Sequence, residues 1–454
     1  MLFRSGGIVL VEYYKSLSAK DDLKTTQIHK ESAKFFNAIG YITMVYVAVL
    51  CVVYPFFVKK DFNRKEVIAL ILIISISYFA QYLIGITNQL IIQADQRMYI
   101  LNITRTFAYL SSTAIIIILI SLNQTIYVVK LASVIVLVFA PVFFKLYAKK
   151  HYNLIKNIPR DKTVLAKKWD GLAQHIAAFI HGNTDIVLLT VFSGVKEVSV
   201  YTVYQMVING LKAVLSALTS GISATFGNMY ANGEHEKLKR NYIAFDHLNM
   251  IFVFSMFTVA EIMIIPFVHV YTADVHDTNY IRPAFAAIIL MAEGVYCIRN
   301  SYTTIVYAAG HYRQTMRNSY VEAGINIVIS LALVKPLGIV GVGIGTLLAM
   351  LFRNIDYIFY LSKNIIKWDV KPVIYRYLVN AAGAALAIVS TRFIPFGSID
   401  SFFKWIAFAL VATAITGTEI VAINFIFCPK AFKEIIDIYA LPLISKLLKK
   451  RNKK

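Results

Sequence analysis

HIAAFIHGNTDIVLLTVFSGVKEVSVYTVYQMVINGLKAVLSALTSGIS, residues His175–Ser223, reads as two membrane-spanning helices joined by a short turn at Ser193–Lys196. Its polar groups sit at depths where hydrocarbon would otherwise surround them. His181, Asn183 and Asp185 fall near the middle of the first helix, and Lys212 near the middle of the second. At about 100° per residue, Tyr201, Gln205, Asn209, Lys212, Ser216, Thr219 and Ser223 share an arc of roughly 80°. That stripe is roughly 33 Å long, close to the hydrocarbon thickness of a bilayer. A polar line of this length needs water, a ligand or another helix beside it, and so points to a transport path.

Composition places the rest of the chain in the same class. Of 454 residues, 58% are hydrophobic and only 16% charged, and the mean hydropathy is +0.63. These values describe a polytopic all-α membrane protein. The net charge of +21 raises the question of nucleic acid. The basic residues, however, cluster in short gaps between apolar runs, where topology and anionic lipid account for them. Cys51, Cys297 and Cys428 lie in or beside apolar runs without metal-type spacing.

Apolar runs of spanning length cover 35–58, 67–93, 100–122, 126–147, 171–193, 198–227, 243–272, 282–308, 316–334, 337–361, 373–394 and 402–427, about twelve transmembrane helices. Lys and Arg crowd alternate gaps, above all 148–169 and the tail ending LLKKRNKK, and they are absent from Asn123–Thr125, Ala273–Ile281 and Pro395–Ser401. The basic side is therefore expected to be cytoplasmic, with both termini inside, against one exception at Lys59, Lys60, Arg64 and Lys65. The amphipathic tail from Pro429 is expected to lie on a membrane surface.

An internal repeat is visible. The stretch 232–272 resembles 19–60: each has a charged lead and an apolar span closing on a proline, Pro266 or Pro55. A second echo pairs IIQADQRMYILN (91–102) with IVYAAGHYRQTMRNS (305–319). A spacing near 210 residues means two duplicated lobes in parallel rather than a solenoid. The expected organisation is an incomplete first lobe over 1–147 and a basic inter-lobe loop over 148–170. A six-helix second lobe follows over 171–361, then two further spans over 362–428 and a basic tail over 429–454. Two spans precede the matched one in the second lobe and only a short piece does so in the first. The chain therefore reads as beginning partway through its second span.

NTDIVLLTVFSGVKEVSVYTVYQMV, ATFGNMYANGE and the duplication followed by two extra spans resemble the Wzx-like polysaccharide flippases of the multidrug/oligosaccharidyl-lipid/polysaccharide exporter superfamily. The resemblance runs over nearly the whole chain, through loose motifs. It implies two lobes with alternating access and a polyprenyl-diphosphate-linked oligosaccharide moved to the outer leaflet of a bacterial cytoplasmic membrane. It also implies a glycan polymerase and glycosyltransferases as candidate partners, and neither a cofactor nor a catalytic centre.

The residues suit that chemistry. A diphosphate and many hydroxyls must be hidden from hydrocarbon while a prenyl tail stays in lipid. Lys212, Arg105 and Arg299, with His181 as a weaker donor, are the candidate phosphate contacts. Tyr201, Tyr204, Gln205, Asn209, Asn183 and Asp185 are candidate cavity residues, and Glu293 and Glu322 could balance the cations or carry a proton. Each has a plainer reading. Lys212 could snorkel or pair with a carboxylate, Arg105 could anchor at the phosphate belt, and His181 and Asp185 could bond each other. Arg353 and Asp356 read as a surface pair, and GVGIGT (341–346) as a close helix contact rather than a phosphate loop. No nucleotide-binding loop, metal-type Cys/His spacing or nucleophile–base set is present in the sequence. The alternatives are a cation-coupled multidrug exporter, a lipid II flippase and, from another class, a membrane glycan polymerase or ligase. The last would want a large outer loop that the gap near Ala273–Ile281 does not provide.

Overall fold

In the computed structural model the described residues are 19–57, 63–95, 97–155, 183–219, 232–394 and 399–441, with a few isolated positions between them. They form helices and no strand. In chain order these are α1 (Asp22–Phe57), α2 (Arg64–Ala94, with a π-helical turn at Gln81–Gly85), α3 (Met98–Ser121), α4 (Ile126–His151), α5 (Asn183–Phe192) and α6 (Val195–Thr219). After them come α7 (His235–Tyr271), α8 (Pro283–Ala308), α9 (Tyr312–Leu337), α10 (Ile339–Asn364), α11 (Val370–Arg392), α12 (Phe402–Phe427) and α13 (Pro429–Ile435). Ten of them, all but α5, α6 and α13, are long and apolar enough to cross a membrane. The protein is an all-α polytopic membrane protein; of the twelve expected runs, 171–193 lies partly outside the described residues and 198–227, described as a helix only to Thr219, is not apolar enough to count as a span. His181, most of 148–170 and the tail beyond 441 lie outside the described residues.

The chain divides into two compact units, Met1–Asn183 and Thr184–Lys454, each with its own apolar core. Four helices of one recur in order in the other: α1 to α4 correspond to α7 to α10. The long leading helices have 36 and 37 residues and carry Pro55 and Pro266 near their ends. The closing helices α4 and α10 have 26 residues each. The match extends to single hydrogen bonds. Before α1, Lys20 takes φ +53° and the Asp21 amide donates to the Ser16 carbonyl. Before α7, Gly233 takes φ +72° and the Glu234 amide donates to Met229. At the ends of α2 and α8, Asp95 and Arg97 donate to Ile91 and Ile92, as Ala309 and His311 donate to Ile305 and Val306. These are the positions paired by the sequence echo.

Within the second unit, α8 and α10 are the most enclosed, with 56% of each span buried; α2 in the first unit has 11%. α10 packs on both α8 and α9. Gly338 at φ +55° ends α9 and starts α10, a joint that a side chain would strain. Beyond it, GVGIGT is the seam between α9 and α10. A Cβ at Gly341 would collide with the Leu333 carbonyl, and one at Gly345 with Ser330. That is the close helix contact expected of this motif.

The two additional spans are joined to the second unit by buried polar contacts. Arg376 of α11 reaches Asp246 of α7 (3.5 Å), and His247 pairs with Asn424 of α12 (2.7 Å). Asn424 and Asn380 bond one another across α11 and α12 (3.0 Å). All five of these side chains are almost fully buried. The tail differs in part from expectation: α13 packs against α7, with Ile435 buried and the Tyr439 hydroxyl bonded to the Asn241 carbonyl.

Gly345→Ala should lower stability by about 1–3 kcal/mol, because the added methyl meets backbone that cannot retreat. Gly324→Ala on α9 meets nothing within 4 Å and should be neutral or mildly stabilising. Thermal unfolding of the purified protein in detergent checks both.

Candidate functional site

In the second unit α6, α8, α9 and α10 bring together Lys212, Glu293, Arg299, Glu322 and Arg353. On α8 the spacing of Glu293, Tyr296, Asn300 and Thr304 places four polar side chains along one helix face. α6 brings Lys212 to that face, where its ammonium lies 2.5 Å from Glu293 and 4.6 Å from the centre of the Tyr296 ring. The Arg299 guanidinium lies 4.9 Å from the same ring centre. A lone lysine at mid-bilayer costs on the order of 3 kcal/mol or more, and a carboxylate and an aromatic face beside it offset that cost.

Lys212 borders a cavity of about 100 Å³ between α6, α7 and α8, walled also by Ser216, Asn249, Tyr296, Asn300 and Thr304. The lysine side chain keeps 25% of its surface exposed while Glu293 keeps 9%. Two of the readings left open for Lys212 therefore hold together: it pairs with a carboxylate and it lines a cavity. Asn249 is buried, and its Nδ2 has no protein partner, so the wall offers a spare donor beside the cation.

Arg299 donates to Glu322 of α9 at 2.6 Å, and Arg353 of α10 approaches the other oxygen of Glu322 at 3.5 Å. Arg353 is the main departure from the sequence reading. It is 1% exposed, not on the surface. It is satisfied by Asp356 (2.6 Å), the Thr315 carbonyl, Ser319 and the Tyr357 hydroxyl. A guanidinium can be buried when all its donors find acceptors. Lys212 thus pairs with Glu293, Arg299 with Glu322, and Arg353 with Glu322 and Asp356, so this cluster neutralises its own cations.

The polar stripe of α6 divides along its length. Tyr201 is buried and donates to Asp185 of α5 (3.2 Å) while accepting from Gln205 (3.0 Å). Asn209 is exposed, and Lys212 and Ser216 open on the cavity. Tyr204 is fully buried against Phe285, and its hydroxyl is held by the Tyr280 carbonyl and the Arg282 amide. It is a packing residue here, not a sugar contact. Asn183 is half-buried at the start of α5. Ser223 lies outside the described residues, as does His181 and with it the expected His181–Asp185 bond. Arg105 lies in the first unit, half-buried, with its guanidinium 5.9 Å from the Phe144 ring centre.

Asp185 also accepts from Thr346 of α10 (2.9 Å), which in turn receives Asn326 of α9 (3.0 Å). Asp185 Oδ1 and Asn326 Oδ1 are buried without a hydrogen-bond partner. Oxygen atoms of this kind suit a hard cation rather than a soft metal. Among the described residues no three His, Cys, Asp or Glu side chains gather as a metal site. Tyr296, Asn249, Asn326 and Thr346 escaped the sequence reading. Tyr296 alone left a signal there, three residues after Glu293 on one helix face.

Comparison with protein-family models finds no match, and comparison with curated proteins finds none. Among solved structures, the fold is similar to "Lipid II flippase MurJ, inward closed conformation". The TM-score is 0.71 and the identity 10%, over 94% of this chain and 90% of that one. The likeness establishes a common fold.

If Lys212 and Glu293 stabilise one another, Lys212→Met and Glu293→Gln should each lower the unfolding temperature, and the double variant should recover part of the loss. The expected coupling is about 1–3 kcal/mol. Strictly additive losses in a double-mutant cycle would show the pair to be uncoupled.

Proposed function

We propose that the protein moves a polyprenyl-diphosphate-linked oligosaccharide from the cytoplasmic to the outer leaflet of a bacterial cytoplasmic membrane by alternating access. In this reading the two units act as lobes, and the Lys- and Arg-rich ends of the helices face the cytoplasm. A glycan polymerase and glycosyltransferases would act downstream and upstream. The observation that carries the reading is Lys212, a cation lining a cavity beside Tyr296 and the unpartnered Asn249 amide. The fold likeness to a flippase supports it.

About 100 Å³ holds a few water molecules, so the cavity fits one phosphoryl group rather than a glycan. A phosphate oxygen entering it exchanges one ion pair for another on Lys212. The lysine gains a charge-assisted bond at a site already desolvated. Glu293 must then gain a proton or another cation, since an unpaired buried carboxylate is costly. Tyr296 offers a flat face on which a first sugar ring can rest. The prenyl chain needs no site, because acyl chains solvate it.

Lipid II is the second reading. It presents the same diphosphate and chain, and the structural neighbour is described as its flippase.

In proteoliposomes, transport of a fluorescent polyprenyl-diphosphate oligosaccharide should fall about tenfold or more in the Lys212→Met/Glu293→Gln double variant. That is the worth of one hydrogen bond to a charged group, about 1.5–3 kcal/mol. The double variant removes the cation without stranding its carboxylate. Unchanged transport by a folded double variant would refute the role given to Lys212.

A further inference from the structure

A second cavity, of about 440 Å³, has the opposite electrostatic character. It lies where α7 and α11 begin, α12 ends and α13 begins, at the Lys-rich end of these helices. Ile243, Val373, Phe427 and Pro429 supply apolar walls, and Lys239, Arg376 and Lys430 supply cations. The lining includes one carboxylate, Asp369, whose side chain is engaged in capping α11 through the Lys371 amide (3.1 Å). Asp246 behind the groove answers Arg376 and Asp369 is occupied by its cap, so Lys239 and Lys430 leave this groove positive, unlike the neutralised cluster around Lys212.

Arg376 is 4% exposed and only loosely held. Its Nη2 reaches Asp246 at 3.5 Å and its Nη1 the Ile243 carbonyl at 3.3 Å, while Nε has no partner. A buried guanidinium nitrogen without an acceptor is costly. Neither Lys239 nor Lys430 has an ion pair among the described residues. A soluble anion would satisfy these donors and leave the apolar wall wet. A neutral lipid would cover the wall and leave the two lysines facing no net charge. A lipid with an acyl chain and a net negative headgroup answers both, and the Lys-rich side of a bilayer protein is where such lipids concentrate.

We propose that this groove binds an anionic membrane phospholipid, its phosphodiester against Arg376, Lys239 and Lys430 and one acyl chain along Ile243, Val373 and Phe427. The site is separate from the cavity at Lys212 and independent of the transported substrate. Arg376 also anchors α11 to α7, so an occupied groove strengthens the attachment of the last two spans.

The test is thermal unfolding of the purified full chain in phosphatidylcholine nanodiscs with increasing phosphatidylglycerol. Phosphatidylglycerol should raise the unfolding temperature of the wild type. In Lys239→Glu/Lys430→Glu the apparent affinity should fall about tenfold or more. Neither lysine carries a buried contact, so that variant should unfold like the wild type in phosphatidylcholine alone. Equal stabilisation of both proteins by phosphatidylglycerol, or no stabilisation of either, would overturn the proposal. So would the same shift from soluble glycerol phosphate, which has no chain, or from polyprenyl diphosphate displacing the phospholipid.

Discussion

A charge placed at mid-bilayer must find its counter-charge inside the protein, and this constraint organises the second unit. Protein encloses Arg299 and Arg353 and most of Lys212, and carboxylates from neighbouring helices answer their charge. Glu293 on α8 answers Lys212 on α6, Glu322 on α9 joins Arg299 to Arg353, and Asp356 completes the shell of Arg353. Each pair ties two turns or two helices together, so satisfying charge also sets helix register. At the junction with α11 and α12, Asp246 answers Arg376, and the neutral groups Asn380, Asn424 and His247 satisfy one another by hydrogen bonds.

Close packing and neutralisation support one another. Gly341 and Gly345 let α10 approach α9 until backbone meets side chain, and that approach brings Arg353 within reach of Glu322. Larger residues at the glycines would part the helices and strand both charges. The result is a rigid unit with one partly open polar wall.

Self-neutralisation changes how a phosphorylated lipid could be held. A free lysine would attract any anion, including bulk phospholipid. A lysine already paired with Glu293 accepts a phosphate only if the carboxylate is compensated as well, which makes binding an exchange and permits release on the far side.

Much of the architecture was written in the sequence. Ten apolar runs of spanning length, the proline-closed repeat and the 91–102 to 305–319 echo correspond to helices or hydrogen bonds found where expected, because hydrophobic length and turn chemistry are local properties. GVGIGT was legible as a seam for the same reason. The candidate site was legible only as residue types. Lys212, Arg299, Glu293 and Glu322 could be named from their depth in apolar runs, but not who pairs with whom. Tyr204 looked like a site residue and is packed, and Arg353 looked superficial and is buried. Partnership between α6 and α8, or α9 and α10, depends on which helix faces touch across long stretches of sequence, and periodicity within one helix carries no record of its neighbour. Position along each helix was therefore determined by the sequence alone. Pairing between helices was decided only by tertiary packing, since a buried charge is stabilised by whichever opposite charge the fold brings within a few ångströms.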